Sequence, residues 1–118
     1  MKQRETYNRV KKAFRTLRQH NLICRMNHLC CMTCASHDLG TKCNERNKEG
    51  AVYFHQQDTD CFWGCSKLHI RYFHNDEDDD GKTLEVGKLV YQTLKEEGVT
   101  VEWDGNAGKT IVVLAEEE

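Results

Sequence analysis

Tyr7, Val10, Phe14 and Leu17 recur at spacings of three and four, the stripe of one helix face, while Arg4, Arg9, Lys12 and Arg15 fall largely elsewhere. The spacing predicts a helix over residues 3–20, stopped at His20-Asn21. The pattern then changes period. Leu22, Cys24 and Met26 alternate with Ile23, Arg25 and Asn27, which reads as a strand over 22–27. A cysteine-bearing turn follows and is expected to open a short helix ending at Leu39, with residues 40–50 a polar loop bounded by glycine. Val52 and Phe54 mark a second strand over 51–55, residues 56–66 read as a loop, and Leu68, Ile70 and Tyr72 mark a third strand over 67–73. After an acidic stretch, Val86, Leu89, Val90, Thr93 and Leu94 form the stripe of a helix over 83–97, with Gly98 placed to end it. Residues 99–103 and 110–114 read as two strands joined by a glycine-rich turn, a hairpin.

The resulting order is α-β-α-β-β-α-β-β: an α+β domain whose sheet of about five strands is mostly antiparallel, with helices packed on one face. Its expected core includes Val52, Phe54, Leu68, Ile70, Val101, Ile111 and Val113. At 118 residues the chain fits one domain. It divides into a basic N-terminal helix (1–20), a cysteine-containing core (21–114) and an acidic tail (115–118) expected to fray.

Composition adds limits. Apolar residues make up 38 % and charged residues 31 %, so the core is modest. No apolar run is long enough to span a membrane, and the N-terminus lacks the apolar segment of a signal peptide. The expectation is a cytoplasmic protein with reduced thiols and no membrane partner. Seven cysteines, an odd number, also argue against a complete disulfide framework. Charge is uneven: seven Lys/Arg against one Glu in residues 1–20, but six against fifteen acidic residues in 51–118, within a net charge of −2. The basic residues Arg4, Arg9, Lys12 and Arg15 are therefore candidates for a polyanion contact, set against the plainer reading that the arm lies on the protein's own acidic half.

Two apparent signatures fail. Asp76–Gly81 resembles the start of an EF-hand loop, but the twelfth position, which needs a bidentate Glu, is Gly87, so no calcium is expected. Gly108-Lys109-Thr110 resembles the end of a phosphate-binding loop, but the first glycine would fall at Trp103 and a strand follows, so no nucleotide is expected.

The cysteines carry the remaining chemistry. Cys31 and Cys34 are spaced C-x-x-C, which lets two thiolates meet one Zn²⁺ at about 2.3 Å. Cys61 and Cys65 offer a second pair to complete a tetrahedron, with His37 and Cys43 as alternates. Such a zinc would staple a small domain. The same residues read otherwise as buried thiols. A third reading is catalytic: Cys31 or Cys34 activated at a helix N-terminus, His55 as base and Asp58 as its orienting carboxylate.

Three elements resemble a known family. They are Arg25-Met-Asn27-His-Leu-Cys30-Cys31-Met-Thr-Cys34, then Tyr53-Phe54-His55-Gln56-Gln57-Asp58-Thr59, then Val101-Glu102-Trp103-Asp104-Gly105. Together, in that order across residues 17–114, they resemble an uncharacterised, mainly bacterial family of domains of unknown function. The resemblance implies a polar cluster of Cys30, Cys31, Cys34, His55, Gln57 and Asp58; Cys43, Cys61 and Cys65 lie outside it. It implies no activity. The chain is thus expected to be a small binding or interaction module with a protein partner, a structural zinc being its candidate staple. The alternatives are a thiol-dependent redox or hydrolytic enzyme, and a nucleic-acid binder acting through its first helix.

Overall fold

The computed structural model describes residues 1–76 and 80–116, with the side chain of Asp80 left aside. Helix α1 (Gln3–Leu17) leads through a single 3₁₀ turn, Arg18–His20, into β1 (Leu22–Arg25). Then come α2 (Met32–Arg46), β2 (Gly50–Tyr53), α3 (Gln56–Cys65), β3 (Lys67–His74), α4 (Asp80–Glu96), β4 (Thr100–Glu102) and β5 (Ile111–Leu114). The strands form one sheet in the order β1-β2-β3-β5-β4. Only the β1–β2 pair is parallel among these; the other pairs are antiparallel. This is the α+β, mostly antiparallel architecture that the periodicities predict, with one more helix.

Alternation sorts the strand residues onto two faces. Leu22, Cys24, Val52, Leu68, Ile70, Ile111 and Val113 join Val10, Phe14 and Leu17 of α1, Phe62 of α3 and Val86, Val90 and Leu94 of α4 in the main core. Val101 packs on its edge. Phe54 is fully buried there, edge-on to Phe14 and to Tyr7. The opposite residues, Ile23, Ala51 and Tyr53, pack on Ala35, Leu39 and Cys43 of α2. The helices therefore do not all lie on one face: α2 covers β1 and β2 from behind. A parallel β1–β2 pair needs a crossover connection, and α2 supplies it.

Two stretches expected as loops are helical. Helix α2 does not stop at Leu39 but runs on to Arg46, because Cys43 is the third member of the i, i+4, i+8 stripe begun by Ala35 and Leu39. Asn47, left-handed at φ 55°, closes it by donating its N–H to the Cys43 carbonyl. Residues 56–65 form α3. Its first turn is held by His55 and Asp58, and left-handed Ser66 (φ 65°) ends it. Gly50 has a steric reason to be glycine: a Cβ there would run into the Phe73 carbonyl oxygen on the neighbouring strand.

The basic arm is docked. Arg9 donates to the Glu97 carbonyl (2.8 Å) and pairs with Glu5 (3.2 Å), and the N-terminal ammonium lies 3.4 Å from Glu116. Lys12 and Arg15 are exposed. At the tail, the N–H of Ala115 donates to Ser66 and that of Glu116 to Met1, while residues 117 and 118 lie outside the described residues. The acidic Asp76–Gly81 stretch, from which calcium binding was not expected, lies largely outside them too.

Candidate functional site

Strands β1 and β2 run parallel, so their C-terminal ends open at the same edge of the sheet, and a helix starts just beyond each. Loop 26–31 lies across this edge. The N–H of His28 donates to the Phe54 carbonyl (2.9 Å), and that of Gln56 donates to the Leu29 carbonyl (2.9 Å). The Nε2 of His28 meets Asp38 of α2 at 2.7 Å, and Lys42 reaches the same carboxylate at 3.0 Å. Asp38 is held below the usual carboxylate range by these two partners, Lys42 first. The loop reaches this position through two left-handed residues, Asn27 (φ 53°) and Leu29 (φ 59°). For a leucine that conformation is uncommon and costs energy, and the loop's three tethers hold it in place.

At the end of this loop the thiols of Cys30, Cys31 and Cys34 lie within 4.8 Å of one another. No disulfide joins them. Cys30 and Cys34 are exposed and Cys31 is half-buried. Cys31 is the N-cap residue of α2, with extended backbone and no capping hydrogen bond from its own side chain. The Cys34 backbone N–H nonetheless faces its sulfur and, with the Cys30 and Cys34 thiols, lowers its pKa below that of an ordinary cysteine. Cys34 moves the other way: sharing protons with the Cys30 and Cys31 sulfurs pushes it up to about 11. The trio thus ionises unevenly, Cys31 before Cys34. Thiolate is the form that binds metal, and each ionised sulfur resists ionisation of the next until a cation enters.

The second helix start is built differently. The Nδ1 of His55 accepts from the Asp58 backbone N–H (3.2 Å), and the Asp58 carboxylate accepts from the His55 backbone N–H (3.3 Å). This is a reciprocal capping box with histidine in the place of serine or threonine. Arg71 of β3 grips the same carboxylate with two hydrogen bonds, 2.9 and 3.0 Å. It also reaches toward the Met32 sulfur at the start of α2 (3.4 Å), tying the two helix starts together. His55 is 3 % exposed and Asp58 5 %. Burial lowers the His55 pKa, with Asp58 opposing and Arg71 assisting. The ring is therefore neutral, and because Nδ1 accepts, its proton sits on Nε2, 3.3 Å from Asp58. Neither nitrogen is left to take a proton from a thiol.

Each candidate residue can now be placed. Cys31 and Cys34 come together as their spacing implies, joined by Cys30. Cys61 and Cys65 do not join them; their sulfurs face each other at 3.1 Å across one turn of α3. His37 is exposed on α2 outside the trio, and Cys43 is buried behind the sheet with its pKa raised by burial. Gln57 is exposed. Arg71 is the residue that sequence reasoning passed over. It stands in a strand of alternating polarity, where an arginine reads as a solvent-facing residue, and nothing local to it signals Asp58.

Among the described residues, no helix is long and apolar enough to cross a membrane. No curated protein and no solved structure matches the chain. A family model matches it over residues 2–116, nearly its whole length, in keeping with the three motifs: the chain belongs to the family described as domain of unknown function DUF6891.

Proposed function

We propose that this protein is a small, non-enzymatic metal-holding interaction module, in which Cys30, Cys31 and Cys34 bind one thiophilic ion, zinc in the first instance. The observation that carries this reading is the convergence of three unbridged sulfurs within 4.8 Å at an exposed helix start. Three thiolates leave a tetrahedral ion one position short. Among the described residues no fourth His, Cys or carboxylate ligand atom joins the three sulfurs, so the fourth ligand comes from solvent or from a partner. Leu29 and Met32, 40 % and 51 % exposed, give the site an apolar rim that favours a protein partner over a free anion. Seven free thiols fit a reducing compartment such as the cytoplasm.

Against the catalytic alternative stands the use of His55 at the start of α3, where Nδ1 accepts from the Asp58 backbone N–H. The nucleic-acid reading has lost Arg9 to Glu5 and Glu97.

Elemental analysis of protein purified under reducing conditions tests the proposal. The expected result is about one zinc per chain, set by the single three-thiolate group. Cys31→Ser or Cys34→Ser releases it, and Cys61→Ser with Cys65→Ser retains it. Protein that takes up no zinc on reconstitution, or that loses it only when Cys61 and Cys65 are changed, would refute the assignment.

A further inference from the structure

The Cys61–Cys65 pair is unused by the site above, and its surroundings are specific. Both thiols are exposed on one face of α3, four residues apart, with sulfurs at 3.1 Å. Gly64 falls on the same face, and a Cβ built there would meet nothing within 4 Å, so the space beside the sulfurs is open. The helix backbone is fixed at both ends. The His55–Asp58 box holds its start. At its end Ser66 caps it, and the Gln3 amide donates to the Phe62 carbonyl (3.2 Å), the Trp63 carbonyl (3.3 Å) and the Ser66 hydroxyl (2.8 Å).

That rigidity decides what the pair can do. Side chains four apart on a helix have Cβ atoms about 5–6 Å apart. A disulfide needs them at about 3.5–4.5 Å, with sulfurs at about 2.05 Å. Forming one would break the last turn of α3 and the Gln3 clamp on it. A single atom placed between the sulfurs needs no such change. Tetrahedral zinc, at about 2.3 Å from each sulfur, would hold them about 3.8 Å apart. A pyramidal centre, with bond angles closer to a right angle, accepts a shorter separation.

We propose that Cys61 and Cys65 form a second soft-ligand site, a two-thiol chelate for a trivalent arsenic centre, independent of the Cys30/Cys31/Cys34 group. With phenylarsine oxide as probe the chemistry is a condensation. Two As–S bonds replace the As=O double bond, both thiol protons leave with the oxygen as one water, and arsenic stays trivalent, so no oxidant enters.

The test uses the full chain carrying Cys30→Ser, Cys31→Ser and Cys34→Ser, which leaves Cys24 and Cys43 buried and Cys61 and Cys65 exposed. The expected result is uptake of one phenylarsenic group by intact mass, with loss of two titratable thiols. Adding Cys65→Ser leaves one-point attachment and weakens binding by at least about a hundredfold, the loss of the intramolecular second step. Circular dichroism checks that each variant is folded; these exposed positions allow serine, and Cys61→Ala provides a second variant at the partner position. No uptake by the folded triple variant, uptake indifferent to Cys61 or Cys65, or ready closure of a Cys61–Cys65 disulfide under diamide would each overturn the proposal.

Discussion

Two helices begin side by side at the ends of two parallel strands, and they begin in opposite ways. At α3 every polar group is answered: His55 and Asp58 cap each other's backbone, and Arg71 closes the carboxylate in a pocket almost without solvent. At α2 the N-cap side chain caps nothing, two of the three thiols are exposed, and a leucine is held left-handed to present them. Two of the three motifs that carry the family resemblance fall on these starts, one on each, yet the two do different work. The histidine and aspartate build the platform; the cysteines are what the platform displays. Exposure and unmet bonding capacity separate the two roles more clearly than residue chemistry does.

The contrast breaks most visibly at Asp58. Asp58→Ala removes the carboxylate half of the α3 capping box, keeps the backbone N–H bond to His55 Nδ1, and leaves the Arg71 guanidinium, a quarter exposed, without its anion. Breaking a buried pair from one side costs about 3–5 kcal/mol, and the partial exposure of Arg71 places this one near the lower end, about 3 kcal/mol. Urea denaturation should show this loss. A midpoint close to the parent's would mean the box and ion pair are ornamental, and the division between platform and display would fall. Arg71→Met is the sharper companion: it keeps both hydrogen bonds of the capping box but strands the Asp58 carboxylate, more deeply buried than Arg71, so it should cost at least as much as Asp58→Ala.

Much of this arrangement was legible from residue spacing, for a physical reason. The stripes of α1 and α4 and the alternation in β2, β3 and β5 report burial of one face, and burial of one face is what those periods encode. Cys31 and Cys34 were legible as neighbours because three residues of separation confine them. Helix α3 was hidden because its start uses histidine where a hydroxyl or carboxamide is usual, and its polar first turn reads as loop. The length of α2 was hidden by Gly40 and the polar run up to Gly50, which read as a loop, though Cys43 completes its buried stripe. The Asp58–Arg71 bond and the separation of Cys61 and Cys65 from the trio are tertiary facts, which no local period carries.

A smaller effect comes from His55 through pH. Its folded pKa lies below the ordinary 6.5, mainly because burial disfavours the charged ring. As pH falls through about 6.5 the unfolded chain takes up this proton and the folded chain does not, so folding stability drops until the folded pKa is reached. The contribution is thus fully present above 6.5 and lost on the acid side. His55→Asn keeps a good N-cap and removes the titration, so neutral stability should change by no more than about 1 kcal/mol. The slope of stability against pH between 6.5 and 5 should flatten relative to the parent, since the other histidines are common to both chains. An identical slope in the two proteins would show that the ring exchanges protons freely and is not locked in the cap.

The smallest effect on stability is expected where the chemistry is richest. Cys30, Cys31 and Cys34 span five consecutive residues, so an ion held by them closes almost no loop of chain. The same short segment can also hold metal in the unfolded state, and binding to both states cancels in the folding balance. Chelator treatment of the zinc-loaded protein should therefore lower the melting temperature by less than about 5 °C, the shift that about 1 kcal/mol gives in a domain near this size. Triple substitution of the trio to serine in metal-free protein should likewise stay within about 1 kcal/mol. A zinc ion bridging Cys31 and Cys34 to Cys61 and Cys65 would instead join α2 to α3, and its removal would cost far more. A large drop on chelation, carried by Cys61 and Cys65 as well as by the trio, would thus show a staple. A small drop with complete loss of metal would show an ion that the fold presents rather than one the fold depends on.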